Sequence, residues 1–479
     1  MPASLKKHLY VCGRLVDTGA YASVVNPATE AIVGTVAVAG QKETAAALDG
    51  AAEAFNSWGT APVAERVDWM RRLREAVIGC EEHLRACVHL ELGKPWAATC
   101  EDFEALVNSL EYYAEEILKI QPEALADRDG THAHTLFREP AGVVGAFLAW
   151  NFPLLNLAFK LGPAMAAGCP IVIKPSLKTP LSAYAVGELC HEIDLPPGVV
   201  NIVAGDKQEI GDTISRSTIP AMLTLIGSSR TGRHVIGAGS TSIKRYSMEL
   251  GGNAPALVFA DADIDLAADI ICAVKFANSG QICVAPNRVL VEEPIAAEFE
   301  EKVIDRAHAV KVGFDRSGDI DMGPLVDGGA WKRVHNLVSE AVGHGARLLA
   351  GGGRPDGIER GHYYAPTVLA DVTPSMDLYN EEIFGPVVSL ITFRSEADAI
   401  NTANATDTGL SSFVFTSDAD RADRCAMALR FGEVQINGVK YHISLPHCGI
   451  KQSGVGVDCS HLALDDYLVP KRVTRALMD

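Results

Sequence analysis

Six short stretches of the chain hold side chains able to do chemistry together. Phe276-Ala277-Asn278-Ser279-Gly280-Gln281-Ile282-Cys283 sets a thiol just after a glycine and a polar turn. A thiolate is the side-chain nucleophile that needs least activation near neutral pH, although most free cysteines are small buried hydrophobes. Glu249 follows the strand-like run 245–248 and precedes Leu250-Gly251-Gly252. There it is a general base if partly desolvated, or an ordinary loop carboxylate. Trp150-Asn151-Phe152-Pro153 joins a strand to a helix. The Asn151 amide can donate to a developing oxyanion or cap the helix. Lys174 follows the apolar run 170–173. At such a strand end it reaches the ligand crevice of a parallel sheet, to hold a ribose hydroxyl or a phosphate, or it stands in solvent. Gly227-Ser228-Ser229-Arg230-Thr231-Gly232 links a strand to a helix. Free amides and the helix dipole there favour an anion, but G-x-G-x-x-G is missing and a plain βα turn reads the same. In Glu381-Glu382-Ile383-Phe384-Gly385-Pro386 a carboxylate can bind ribose hydroxyls and Phe384 can pack on a flat ring, or the stretch is a charged loop with one buried aromatic.

The elements that must position these groups follow from periodicity. Apolar residues recur at helical spacing over 42–91 and 99–120. After Pro140 the pattern alternates. Strands are expected at 142–150, 170–173, 199–203 and 221–226, with helices at 154–167, 180–191, 209–215 and 230–238 between and after them. Pro153 suits the first turn of a helix, and Gly168 suits a left-handed cap. A second series starts near 256–259 and includes the helix 263–277, which runs into the Cys283 turn. Strands at 387–393, 412–415 and 432–437 follow. Such alternation predicts parallel, doubly wound α/β sheets. Residues 351–361 and 442–456 read as loops, and 121–139 as an irregular extension that becomes strand-like at 134–138.

A chain of 479 residues outgrows a single core. Its net charge of −18 comes without a long basic run, which argues against nucleic acid or an anionic membrane as partner. Eleven cysteines are scattered with no CxxC pair, so neither a zinc site nor a redox motif is expected. An odd thiol count, no signal-peptide pattern and no long apolar run give the expectation of a soluble cytoplasmic protein.

In their order and spacing these motifs resemble the aldehyde dehydrogenase superfamily, of the NAD(P)-dependent, hydrolytic, non-acylating type. The resemblance runs from Asn26-Pro27-Ala28 to the last strand. It implies that Cys283 attacks the aldehyde to give a thiohemiacetal. The Asn151 amide and the Cys283 backbone amide hold the oxyanion, hydride passes to the nicotinamide, and Glu249 activates water to hydrolyse the thioacyl enzyme. It further implies cofactor contacts from Trp150, Lys174, Gly227, Ser228, Gly232, Glu382 and Phe384. The implied division is an NAD(P)-binding domain at 1–120 and 141–251, a catalytic domain at 252–450, and a small β oligomerisation extension at 121–140 and 451–479, giving a homodimer or homotetramer.

Two departures bear on specificity. Many NAD-preferring members carry glutamate three residues after the lysine that Lys174 matches. Here Leu177 stands in that place, and Ser176 or Lys178 could favour a 2′-phosphate, so NADP is expected to be at least tolerated. Succinic-semialdehyde members commonly carry an arginine just before the cysteine turn, where this chain reads Phe276-Ala277-Asn278. Lys440, His442 and His447 lie in the loop that closes the family's substrate tunnel. They point to a small polar or anionic aldehyde, lactaldehyde-like or semialdehyde-like, with an aromatic aldehyde as the alternative. An acylating dehydrogenase, which passes its thioester to coenzyme A, is disfavoured by Glu249. An inactive binding or structural protein of the same fold is disfavoured by the presence of every chemical residue.

Overall fold

The structure is a computed structural model and describes residues 5–477. Two large sheets dominate. In the first, the spatial order is Gly454–Val455, Arg245–Glu249, Pro220–Ile226, Val143–Phe147, Ile171–Lys174, Val200–Ile202, Leu9–Val11, Arg14–Val16. The five strands from Arg245–Glu249 to Val200–Ile202 are parallel, and the outer ones are antiparallel. Strands buried on both faces should read as continuous apolar runs, and Val143–Phe147 and Ile171–Lys174 are buried at every position. Chain order reverses between Val143–Phe147 and Pro220–Ile226, which are neighbours although Phe147 and Pro220 are 73 positions apart. That reversal is the switch point where ligands bind open α/β sheets.

Helices cover both faces. Pro153–Ala167 begins on its proline and ends on Gly168, whose φ of 88° is the left-handed cap expected. Thr99–Lys119 buries Asp102, Phe103, Leu106, Leu110, Tyr113 and Ile117, one stripe at helical spacing, against that helix. The second sheet runs Arg347–Ala350, Thr367–Ala370, Val387–Phe393, Arg288–Glu292, Pro255–Val258, Ser411–Phe415, Glu433–Ile436 and is parallel but for its first strand. A third, three-stranded sheet pairs Leu468–Ala476 with His132–Pro140 over nine residues and adds Glu123–Leu125. The α/β doubly wound expectation is met.

Three details differ from the sequence reading. Thr367–Ala370 forms a buried strand within a stretch that gave no alternation. Lys174 is the last residue of its strand rather than the residue after it. Gly454–Val455, inside the expected loop 442–456, pairs antiparallel with Met248 and Glu249. The start of the 451–479 segment therefore extends the first sheet, and only Leu468–Ala476 joins the small one. A two-residue strand built on a glycine has no period to read.

Candidate active site

Cys283 lies on a loop that follows the helix Ile264–Phe276. Asp263 caps that helix by accepting from the Leu266 amide at 3.0 Å. The chain then takes three left-handed residues in succession, Asn278 (φ 47°), Ser279 (φ 58°) and Gly280 (φ 70°). Asparagine tolerates this region and serine less so, so the turn needs outside support. Asn278 Nδ2 donates to the Asn151 carbonyl at 2.8 Å, and Ser279 Oγ donates to the Gly323 carbonyl at 2.7 Å. Gln281 Nε2 donates to the Asn278 carbonyl at 3.0 Å, and Gln281 Oε1 accepts from the Val326 amide at 2.8 Å. At Gly280 a Cβ would lie 2.1 Å from the Gly385 carbonyl oxygen, so only glycine fits.

Asn151 follows the strand Val143–Phe147, at the switch point. Its side-chain amide donates to the Gln281 carbonyl at 3.0 Å, and its Oδ1 accepts from Asn156 Nδ2 at 3.3 Å. That network aims the amide at the cysteine loop. The capping alternative fails, because the helix N-cap is Phe152 with no side-chain cap bond. Glu249 is the last residue of Arg245–Glu249, 4% exposed, and neither carboxylate oxygen has a hydrogen-bond partner. Burial holds its carboxyl well above the usual range; Asp458 and Glu433 add to this, while His447 and Lys160 oppose it. Lys160 and Asp458 form a buried ion pair at 2.7 Å beneath it.

Cys283, Asn151 and Glu249 line one cavity of about 1080 Å³, together with Trp150, Gly227, Ser228, Glu382, Phe384, Lys440, His442 and His447. Lys174, Ser176, Lys178 and Gly232 lie outside it. Lys174 is buried at its strand end. Gly232 packs its missing side chain's place against Leu250, 2.8 Å from where a Cβ would sit. Ser176 Oγ accepts from the Lys178 amide at 3.2 Å. Lys178 is committed elsewhere: its Nζ is 2.6 Å from Asp327 Oδ2 and 5.2 Å from the Trp150 ring centroid.

The cavity fits a dinucleotide at one end. Gly227 and Ser228 open the helix Ser229–Ala238 at the switch point, where amides and dipole suit a pyrophosphate. Glu382 accepts from the Gly252 amide at 3.2 Å, and burial pushes its carboxyl up to about 7. Gly251 leaves room beside it, since a Cβ there would meet Glu382 Oε2 at 2.5 Å. The Phe384 and Trp150 rings meet edge-on at 5.4 Å.

Four groups at or near the site went unnoticed in the sequence. Glu433 and Gln435 both line the cavity, and their i, i+2 spacing on a strand was the signal. Glu101 and Glu104, one helical turn apart, line its outer part. Arg333 donates to the Ile383 carbonyl at 2.8 Å and fixes the Glu382 loop. Lys275, buried just before the cysteine turn, is lowered to about 7 by burial, with Glu382 partly opposing this.

Fold and site together define an aldehyde-oxidising dehydrogenase, and comparison with known proteins agrees. The sequence profile of the aldehyde dehydrogenase family matches residues 16–473. The mitochondrial succinate-semialdehyde dehydrogenase of Arabidopsis thaliana is 40% identical, over 94% of this chain and 85% of that one. The crystal structure of an Escherichia coli NADP dependent enzyme superposes with a TM-score of 0.96 at 34% identity, over 99% of this chain and 98% of that one. A Staphylococcus aureus betaine aldehyde dehydrogenase in complex with NAD+ gives a TM-score of 0.96 at 31% identity, over 98% and 95%. Other relatives are named glutarate-semialdehyde, 3-sulfolactaldehyde and aminoaldehyde dehydrogenases. The chain belongs to the aldehyde dehydrogenase family and is an oxidoreductase that oxidises aldehydes with NAD or NADP. No helix among the described residues is long and apolar enough to cross a membrane.

Proposed function

We propose that this enzyme oxidises a small polar aldehyde, semialdehyde-like or lactaldehyde-like, to its acid through a covalent thioacyl intermediate at Cys283. The observation that carries this is the meeting of Cys283, Asn151 and Glu249 on one cavity at the switch point. Cys283 sulfur adds to the carbonyl carbon. Asn151, already held by Asn156 and Gln281, donates to the oxygen as negative charge develops there. The bound dinucleotide supplies the hydride acceptor. Gly227 and Ser228 would hold its pyrophosphate side, and Glu382, Phe384 and Trp150 its nicotinamide side. Lys174 is the candidate for the adenosine ribose. Glu249 takes a proton from water, which adds to the thioester and frees Cys283. Its unpartnered oxygens suit a base that must turn toward different partners during turnover.

The polar-substrate reading rests on the outer part of the cavity. Lys440 and His442 are exposed there, and Ala277 leaves the wall before the cysteine without a cation. Glu101 and Glu104 face the same space and their charge repels an anion there, so a hydroxyl suits that part better than a long alkyl chain. The test is kcat/KM over a panel of succinic semialdehyde, lactaldehyde, benzaldehyde and long alkanals. Preference for the long alkanals defeats the polar reading, and a Cys283→Ala variant with full activity defeats the covalent one. The small sheet of Leu468–Ala476, His132–Pro140 and Glu123–Leu125 is the proposed contact between subunits, since its strands are mostly solvent-exposed in the single chain.

A further inference from the structure

The chemistry above makes no use of Glu433 and leaves His447 as a substrate contact. The geometry gives both another place. His447 lies deep in the cavity, its side chain 15% exposed, with Nδ1 2.6 Å from Glu433 Oε1. Nδ1 therefore carries hydrogen and donates it, which leaves Nε2 facing inward. Nε2 is 3.9 Å from Glu249 Oε2, and the ring lines the same cavity as the Cys283 thiol, with which it interacts. The backbone fixes the ring: His447 and Asp458 exchange N–H···O bonds of 2.8 Å in both directions.

We propose that Glu433, His447 and Cys283 form a nucleophile–base–orienter triad, in which His447 takes the thiol proton before cofactor or aldehyde arrives. His447 is then a catalytic residue and Glu433 a positioning residue. This rests on Cys283 being the nucleophile. The S–H proton passes to Nε2, leaving thiolate and imidazolium. The thiolate forms the C–S bond as the carbonyl electron pair moves onto oxygen. Loss of hydride regenerates the carbonyl as a thioester. Glu249 removes one proton from water, hydroxide adds, and the C–S bond breaks with the electron pair returning to sulfur. The sulfur leaves as thiolate beside an imidazolium that has kept its proton throughout.

The surroundings favour that ion pair. Burial alone would lower the His447 pKa, but the bonds to Cys283 and Glu433 and the charge of Glu249 hold it well above the ordinary value. Glu433 faces the ring from the strand Glu433–Ile436 and Glu249 from the end of Arg245–Glu249. Asp458 is behind it, with its charge met by Lys160. Cys448, Cys459 and the Tyr441 hydroxyl are the remaining titratable neighbours, and each is pushed toward its neutral form, chiefly by burial. Glu433 Oε2 and both Glu249 oxygens are buried without hydrogen-bond partners, so a cation between the two carboxylates answers a real electrostatic need.

The test is iodoacetamide alkylation of the cofactor-free enzyme from about pH 5 to pH 10, with the Cys283 peptide followed by mass spectrometry. Wild type is expected to be alkylated faster than the variants at neutral pH. His447→Gln should move the midpoint up toward the ordinary thiol value of about 8.5 and slow alkylation at neutral pH about tenfold. Glu433→Gln should fall between and carries the test if the histidine variant does not fold. Superimposed profiles overturn the triad. If wild type oxidises aldehydes while the profiles superimpose, only the triad has failed. If Cys283→Ala keeps its dehydrogenase activity, the nucleophile itself was misassigned.

Discussion

On the proposed mechanism, replacing Glu249 by glutamine isolates the hydrolytic half of the reaction. The two side chains have nearly the same shape, so a residue 4% exposed is exchanged without opening a cavity. What is lost is the proton acceptor. A positioned general base contributes about 10²- to 10⁴-fold, or about 3–5 kcal/mol of barrier. The loss should fall chiefly on thioester hydrolysis, because Asn151 keeps its bonds to Gln281 and Asn156 and His447 keeps its bond to Glu433. Stopped-flow mixing should therefore show a burst of reduced cofactor close to one per site, followed by a steady rate reduced at least about 100-fold. Wild-type turnover should also climb as pH rises. Burial raises the Glu249 carboxyl, so its basic form fills only as pH rises. The stability sign follows the same shift. A folded-state pKa raised above the unfolded one gives stability that is fully present below the unfolded value and lost as pH rises through the folded one. Glutamine removes that loss, so the Tm of the variant should gain on wild type as pH increases. An unchanged steady rate with no burst would refute the reasoning, since water would then be activated elsewhere.

Two other substitutions follow from distances. Gly280→Ala puts a Cβ 2.1 Å from the Gly385 carbonyl at a φ of 70°. Strain of about 1–2 kcal/mol and a cysteine displaced by about 1 Å should cost about 100-fold in kcat/KM; wild-type kinetics would show that the turn is less constrained than its bonds imply. Asp327→Asn removes the partner 2.6 Å from Lys178. Half-exposed ion pairs are worth about 1 kcal/mol at most, so the ratio of kcat/KM for NADP over NAD should rise up to about fivefold, and an unchanged ratio removes Lys178 from phosphate recognition.

Much of this was legible in the sequence because buried parallel strands are written as short apolar runs. Val143–Phe147 and Ile171–Lys174 could be placed within a few residues, and Pro153 and Gly168 marked the ends of the helix between them. Asn151, Glu249 and Cys283 stood beside the glycines and prolines that punctuate strand ends. What failed to show was whatever depends on pairing at a distance. Gly454–Val455 is a strand only because Met248 and Glu249 offer it an edge. Lys178 had the right charge to greet a phosphate, but Asp327, 149 positions later, reaches it first. Glu433 lay unremarked inside the expected strand 432–437; its meaning depends on His447, which arrives on a loop whose conformation no local pattern dictates.

The arrangement is consistent with the proposed two-stage reaction running in one cavity. Asn151, Glu249 and the Gly227-Ser228 turn all come from the first sheet, at the carboxyl ends of three adjacent parallel strands. Cys283, Glu382 and Glu433 come from the elements of the second sheet. Glu382, Phe384 and Gly227 line the same cavity as Lys440, His442 and Glu104. His447 and Glu249 lie close together, Nε2 to Oε2 3.9 Å, too far for a hydrogen bond and near enough for each charge to feel the other. An imidazolium kept throughout the cycle favours the ionised Glu249 when the thioester awaits water. The group that prepares the nucleophile therefore also favours the base that later releases it. On this account, His447→Gln should slow hydrolysis as well as alkylation, and a burst followed by a reduced steady rate in that variant is the observation that would tie the two stages together.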